Sequence, residues 1–138
     1  MRRSRIVGTG SYLPSRVVDN DEVGRPLRLN AEAIVRRTGI RTRRWAAKDE
    51  ASSDLAALAA RKACEAAGVS PDSVDDILLS TTSPDMTFPS TACLLQQRLK
   101  ATRAAALDVS ASCSGFLYGL SMADAFIRSG QYRRCLVV

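Results

Sequence analysis

Apolar and polar positions alternate in blocks along the chain. Arg5–Leu13 (RIVGTGSYL) has the β-branched character of a strand, stopped by Pro14. Val17 to Asn30 is polar and turn-rich. A short helix is expected over Ala31–Arg37, closed by Gly39, because glycine just past a helix supplies the left-handed cap. The strongest helical pattern runs from Ser53 to Ala67. Ser52 or Ser53 can cap it, Leu55, Leu58, Ala59, Ala63 and Ala66 form one face, and Gly68 ends it. Val74–Thr82 (VDDILLSTT) reads as a strand with a buried apolar centre. Pro89 opens a helix to Lys100, since proline is tolerated at a first helical position. Ala104–Val109 is a short buried strand, Cys113–Ser129 a third helix closed by Gly130, and Arg134–Val138 a further strand. This alternation of strand and helix predicts an α/β layered fold. No internal repeat, low-complexity segment or domain linker interrupts it.

With 138 residues, 46% of them apolar and 25% charged, the chain has the balance of one soluble globular domain. No apolar run approaches the roughly 18 residues of a membrane span, and no signal-peptide stretch follows Met1–Arg5, so a cytoplasmic protein that does not enter a membrane is expected. The three apolar residues Leu136–Val138 read as the middle of a strand buried on both faces. This leads to the expectation of a piece of a longer or split polypeptide.

The net charge of +6 is unevenly spread. Residues 1–48 hold twelve basic and four acidic side chains, whereas residues 49–138 hold eight and ten. Arg36, Arg37, Arg41, Arg43 and Arg44 concentrate the positive potential, which attracts phosphates or an acidic protein. Seven aromatic residues that do not interleave with these arginines make a poor single-strand stacking surface, so nucleic acid is not the expected partner. There is no histidine, which excludes Ser-His-Asp and Cys-His pairs and histidine-bearing zinc sites within these residues. The cysteines Cys64, Cys93, Cys113 and Cys135 contain no CxxC pair, and neither a metal site nor a disulfide framework is expected of them.

The candidate chemistry lies in Asp108–Phe116 (DVSASCSGF). A strand ends near Val109, a turn of small residues follows, and Cys113 stands where the next helix begins. A helix N-terminus favours thiolate over thiol, and its unpaired N–H groups suit a developing oxyanion. Small neighbours leave room for a substrate carbonyl, so the arrangement fits a nucleophile that forms a thioester. The competing reading is a small apolar residue at a helix–sheet contact. Cys64, Cys93 and Cys135 read as packing residues.

Five blocks, Ile6–Pro14 (IVGTGSYLP), Arg37–Arg44 (RTGIRTRR), Thr81–Ala92 (TTSPDMTFPSTA), Asp108–Phe116 and Phe126–Val138 (FIRSGQYRRCLVV), occur in register. Together they resemble the N-terminal part of a β-ketoacyl-acyl carrier protein synthase III, a condensing enzyme of the thiolase superfamily. The resemblance covers essentially all of residues 1–138 and implies the N-terminal half of a duplicated thiolase-like α/β fold, with the C-terminal half absent. It implies an acyltransferase of fatty-acid or polyketide biosynthesis, with Cys113 as the acyl-accepting nucleophile. Acyl-coenzyme A is then a substrate, no cofactor is required, acyl carrier protein is a partner, and the enzyme is a homodimer. The family's histidine and asparagine would lie beyond Val138, leaving residues 1–138 alone inactive. Arg37 and Arg41 match positions that hold coenzyme A phosphates and the acidic carrier protein; the plainer alternatives are a solvated cluster, or Arg41 bracing the sheet.

Phe88 matches a residue that crosses the dimer interface to bound the partner's acyl pocket, and Thr82 a position near that pocket. The plain alternative for Phe88 is a staple over the following helix. Asp85 and Asp108 read as structural, in a turn and at a strand end. One departure stands out: where the family's bacterial housekeeping members often place an adenine-stacking tryptophan, this chain has Ala33. Trp45 is no obvious substitute and reads as a packed or half-exposed aromatic. That shifts the expected donor toward a carrier protein or a specialised acyl-coenzyme A. Two alternatives stay open: a related thiolase-fold acyltransferase or starter synthase, and a non-catalytic, partner-dependent module if the natural chain ends at 138.

Overall fold

The computed structural model describes residues 2–138, and its backbone divides into two compact units. The smaller unit is Leu13–Glu50. In it, strand β1 (Arg16–Asp19) pairs antiparallel with β2 (Thr42–Trp45), Arg16 opposite Trp45 and Asp19 opposite Thr42. Between them lie a short helix α1 (Asn20–Gly24), a 3₁₀ turn at Arg25–Leu27 and helix α2 (Ala31–Thr38). The α2 boundaries follow the sequence: Asn30 accepts the Glu32 N–H as N-cap, and Gly39 takes the left-handed conformation at φ 72°. Three strand residues, a short helix and a 3₁₀ turn therefore occupy the stretch expected to be turn-rich over 17–30. Buried Asn20 locks this arrangement, donating to the Ile40 carbonyl at 2.8 Å and accepting from the Arg43 guanidinium at 2.5 Å.

The larger unit comprises residues 2–12 and Ala51–Val138. Its sheet has the order β4-β3-β5 and is wholly parallel, with β3 (Asp76–Leu79) in the middle, β4 (Ala105–Asp108) on one side and β5 (Cys135–Val137) on the other. Ile77 and Leu79 face helices α3 (Ser52–Ala67) and α4 (Thr91–Leu99). With Ala56, Ala57, Ala60, Cys64, Ala92, Leu95, Leu99 and Leu136 they make the core. Leu78 and Val137 face the opposite way, toward helix α5 (Gly115–Ser129), where Gly119 lets the helix approach: a Cβ there would lie 2.9 Å from Val137 Cγ1. Gly115, Gly119 and Ala123, spaced four apart, form the buried stripe of α5. The result is helices on both faces of a parallel sheet.

Several boundaries differ from the sequence expectation. Arg5–Leu13 joins no ladder; Gly8 and Gly10 instead press its backbone onto α3, where a Cβ on Gly8 would meet the Ala67 N at 2.6 Å and one on Gly10 the Lys62 Cβ at 2.8 Å. The N-cap of α3 is Ala51, whose N–H is held by Asp54 at 3.0 Å, and the cap serines are inside the helix. The buried stripe of α3 is Ser53, Ala56, Ala57, Ala60 and Cys64, with Leu58 exposed, so the helix is rotated from the expected face. Ser90 rather than Pro89 starts α4, its hydroxyl accepting from the Cys93 N–H. Strand β4 is not buried throughout, since Ala105 and Leu107 are exposed.

Candidate active site

The C-terminal ends of the parallel strands gather the two loops that carry the candidate residues of this unit. Parallel α/β sheets place ligand sites there, because the loops emerge together and helix N-termini point inward. Strand β3 leads into the loop 80–90, which bears Thr82 and Phe88; strand β4, with Asp108 in register opposite Leu79, leads into the turn bearing Cys113.

After β4 the Val109 N–H still bonds the Leu79 carbonyl at 2.7 Å, so the chain leaves the sheet only at Ser110. Ser112 then takes φ 47°, a left-handed conformation that costs a non-glycine residue about 1–3 kcal/mol and turns the chain sharply. A single 3₁₀ turn, Ser112–Ser114, precedes α5. Cys113 therefore sits in that turn, two residues before the α-helix, rather than at the helix's first position. The Ser114 N–H bonds the Ala111 carbonyl at 3.1 Å and the Gly115 N–H bonds that of Ser112, so these two amides are spent on the turn. The Cys113 N–H has no partner among the described residues. An exposed thiol beside an unpaired N–H of its own residue can attack a carbonyl and donate to the oxyanion that forms. Gly115 lets the turn sit against β3: a Cβ there would overlap Ser80 Oγ and lie 2.9 Å from Ser80 Cβ.

The other three thiols are also free, but differently placed. Cys64 is buried in the core, and burial pushes its thiol up. Burial, reinforced by Asp76 and Asp75, pushes the Cys135 thiol up to about 12. Cys93 lies on α4, accepting from Ser90 Oγ at 3.2 Å. Among the described residues no group of histidine, cysteine, aspartate or glutamate is placed to hold a metal ion, and no helix is long and apolar enough to cross a membrane.

Phe88 is 87% exposed at the end of a cis peptide bond to Pro89, and it packs over no helix as a staple would. Thr82 is exposed in the same loop. Asp85 and Asp108 are more than turn residues. The Asp108 carboxylate accepts from the Thr91 and Ala92 N–H groups at 2.9 and 2.7 Å, capping α4 where the helix dipole favours negative charge. Asp85 does the same for α3, accepting from the Ser53 N–H at 2.9 Å and the Ser53 hydroxyl at 2.5 Å. These partners lie 16 to 32 residues away along the chain, so no local pattern signals them.

Arg37 and Arg41 belong to the smaller unit. Both are exposed, and neither has an ion pair or hydrogen bond among the described residues. Bracing of the two-stranded sheet falls instead to Arg43, which donates to the Val18 carbonyl, and Arg44, which donates to those of Pro14 and Ser15. Trp45 is half-exposed and stacks under the Arg16 guanidinium at 5.0 Å. A groove of about 680 Å³ runs between residues 4–10, α3, α5 and β5; it includes Phe116 but not Cys113.

The sequence model of the 3-oxoacyl-[acyl-carrier-protein (ACP)] synthase III family matches residues 107–138, the stretch that contains Cys113 and α5. The β-ketoacyl-[acyl-carrier-protein] synthase III of Xanthomonas oryzae is 56% identical over 98% of this chain and 42% of its own length. The solved 3-oxoacyl-[acyl-carrier-protein] synthase III of Aquifex aeolicus superposes over 95% of the chain and 42% of its own, with a TM-score of 0.91 at 45% identity. The priming β-ketosynthase of the R1128 polyketide pathway also superposes with a TM-score of 0.91, at 39% identity, over 96% of this chain and 40% of that one. The chain thus spans about two fifths of the length of the relatives it matches. The resemblance read from the five sequence blocks holds: the chain is similar over nearly its whole length to part of a β-ketoacyl-acyl carrier protein synthase III, and its α/β architecture is a partial thiolase-like fold.

Proposed function

We propose that this chain supplies the acyl-accepting part of a β-ketoacyl-acyl carrier protein synthase III, an acyltransferase of fatty-acid biosynthesis. The Cys113 thiolate attacks the thioester carbonyl of acyl-coenzyme A, and coenzyme A leaves as its thiolate, which takes a proton from water, so the acyl group passes to the cysteine sulfur. Malonyl-acyl carrier protein then loses carbon dioxide, and its carbanion attacks the Cys113 thioester. The thiolate is released and a β-ketoacyl-acyl carrier protein results. The observation that carries the reading is the exposed Cys113 with its unpaired N–H, in a strained turn at the C-terminal end of a parallel strand. The carbanion needs a further stabilising group. With no histidine in the sequence, the resemblance assigns that task, by a histidine and an asparagine, to the part of the relatives this chain does not span.

In this reading Arg37 and Arg41 hold the phosphates of coenzyme A and the acidic carrier protein, a role their unpaired guanidinium groups support. Phe88 reaches from one copy to bound the acyl pocket of a second, Thr82 lies beside that pocket, and the enzyme works as a cytoplasmic homodimer without cofactor. A second reading, priming of a specialised pathway from a different acyl donor, is supported by Ala33 at the position of the expected adenine platform and by the likeness to the R1128 priming ketosynthase. Losing such a platform weakens donor binding by about 1–3 kcal/mol.

Intact mass spectrometry of the protein after incubation with acetyl-, longer acyl- and branched acyl-coenzyme A tests both. The expected result is a single acyl adduct that is absent from Cys113→Ala. The donor that labels fastest decides between the two readings, and labelling that survives Cys113→Ala would refute the assignment of Cys113.

A further inference from the structure

The loop 80–90 contains no helix or strand, yet its stem is fixed at several points while its tip stands free. The Ser83 carbonyl accepts from the Ser52 hydroxyl at 2.6 Å. Asp85 makes the central attachment. Its two carboxylate oxygens take the N–H and the hydroxyl of Ser53 on α3, and its own N–H donates to Thr91 Oγ1 on α4 at 3.2 Å. Ser53 and Thr91 are both fully buried, so these bonds are shielded from competing water. The anchor is itself held: Arg98 donates to Ser53 Oγ at 2.9 Å and pairs with Asp54 at 2.6 Å. Three residues past Asp85, Phe88 projects into solvent. A ring this exposed takes its position chiefly from the stem that carries it.

From this geometry we infer that Asp85 is a positioning residue: by tying the loop to α3 and α4 it fixes Phe88, and so sets which acyl chains Cys113 accepts. The inference rests on the proposed role of Phe88 at an acyl pocket and goes beyond it by naming the group that holds the ring in place. Thr91 gives the attachment a second function. Its N–H is bound by Asp108, the last residue of the strand leading to Cys113, so one buried residue joins the Phe88 loop to the Cys113 turn. Recognition of chain length depends on ångström-scale placement of pocket walls, and a displaced wall costs discrimination before it costs chemistry.

The test compares the rates at which acetyl-coenzyme A and octanoyl-coenzyme A acylate Cys113, read by intact mass, in Phe88→Ala, Asp85→Ala, Thr91→Val and Thr91→Ser. Thr91→Val removes only the hydroxyl acceptor and keeps the N–H for Asp108; Thr91→Ser restores the acceptor. The expected result is a change of about tenfold in the ratio of the two rates, in the same direction for Phe88→Ala, Asp85→Ala and Thr91→Val, with Thr91→Ser like the parent. A merely structural role would lower both rates together and leave the ratio alone. If Asp85→Ala does not fold, Thr91→Val decides. A ratio altered by Phe88→Ala but by neither Asp85→Ala nor Thr91→Val overturns the inference and leaves the role of Phe88 standing. A ratio unaltered by Phe88→Ala overturns both.

Discussion

Asp76 occupies the middle strand of the parallel sheet, in register with Ala105 on one side and Cys135 on the other, and is only 2% exposed. Alternation along β3 puts it on the same face as Leu78, beneath α5. Its Oδ2 has no hydrogen-bond partner among the described residues, and burial pushes the carboxyl up, opposed only in part by a bond from the Ile77 N–H. A buried acceptor without a partner costs about 1–3 kcal/mol, and more when it is charged. The penalty has a ceiling, because the group can escape its charge by binding a proton, which for an ordinary aspartate at pH 7 costs about 4 kcal/mol. Asp76→Val removes the acceptor, suits a strand, and adds little volume. We expect it to stabilise the protein by about 2 kcal/mol at neutral pH. At a urea m-value of about 2 kcal/mol/M that moves the unfolding midpoint up by about 1 M.

The pH dependence separates this cause from simple repacking. A carboxyl raised on folding binds its proton more tightly in the native state. Its contribution is therefore complete below the unfolded value and is lost as pH rises through the folded one. The advantage of Asp76→Val should be largest at pH 8 and shrink toward pH 4. Urea unfolding followed by circular dichroism at both pH values measures it. A midpoint shift of the same size at pH 4 and pH 8, or a loss of stability at pH 8, would refute the electrostatic argument.

Two further outcomes follow from the geometry around Cys113. Gly115→Ala brings a methyl group onto Ser80, so it should destabilise by about 1–3 kcal/mol, and Ser80→Gly in the same protein should recover most of the loss in a thermal-unfolding assay. The four cysteines should alkylate unequally with iodoacetamide at pH 8: Cys113 first, because it is exposed, and Cys135 last. At a value of about 12, roughly one Cys135 thiol in ten thousand is ionised at that pH, and peptide mapping reads the order.

What could be read in the sequence, and what could not, divides by the range of the interactions. The end of helix α2 is legible because Gly39 closes it, and Gly68 and Gly130 mark the ends of α3 and α5 in the same way; the Asn30 cap appears only in the structure. Cys113 stands out as a candidate because a strand end, a run of small residues and a helix start adjoin it. Strands β1 and β2 are not legible in this way: RVVD and TRRW show no apolar alternation, and they are strands only because they pair with each other across separations of 23 to 29 residues. The buried face of α3 differs from the expected one for a related reason. Its alanines serve two neighbours, Ala56, Ala57 and Ala60 packing into the core while the Ala59 and Ala63 backbone meets Gly10, and helical periodicity alone does not rank two apolar faces. The same limit applies at the site. Asp85 and Asp108 looked like turn and strand-end residues because each sits in one. Their work as caps of α3 and α4 exists only once the sheet has brought β3 and β4 side by side. The candidate nucleophile is therefore specified locally, by the turn 110–115, while the position of Phe88 relative to its own unit is specified by contacts remote in the chain. A substitution at Ser53 or Thr91 thus acts on the Phe88 loop from helices that carry no proposed catalytic residue.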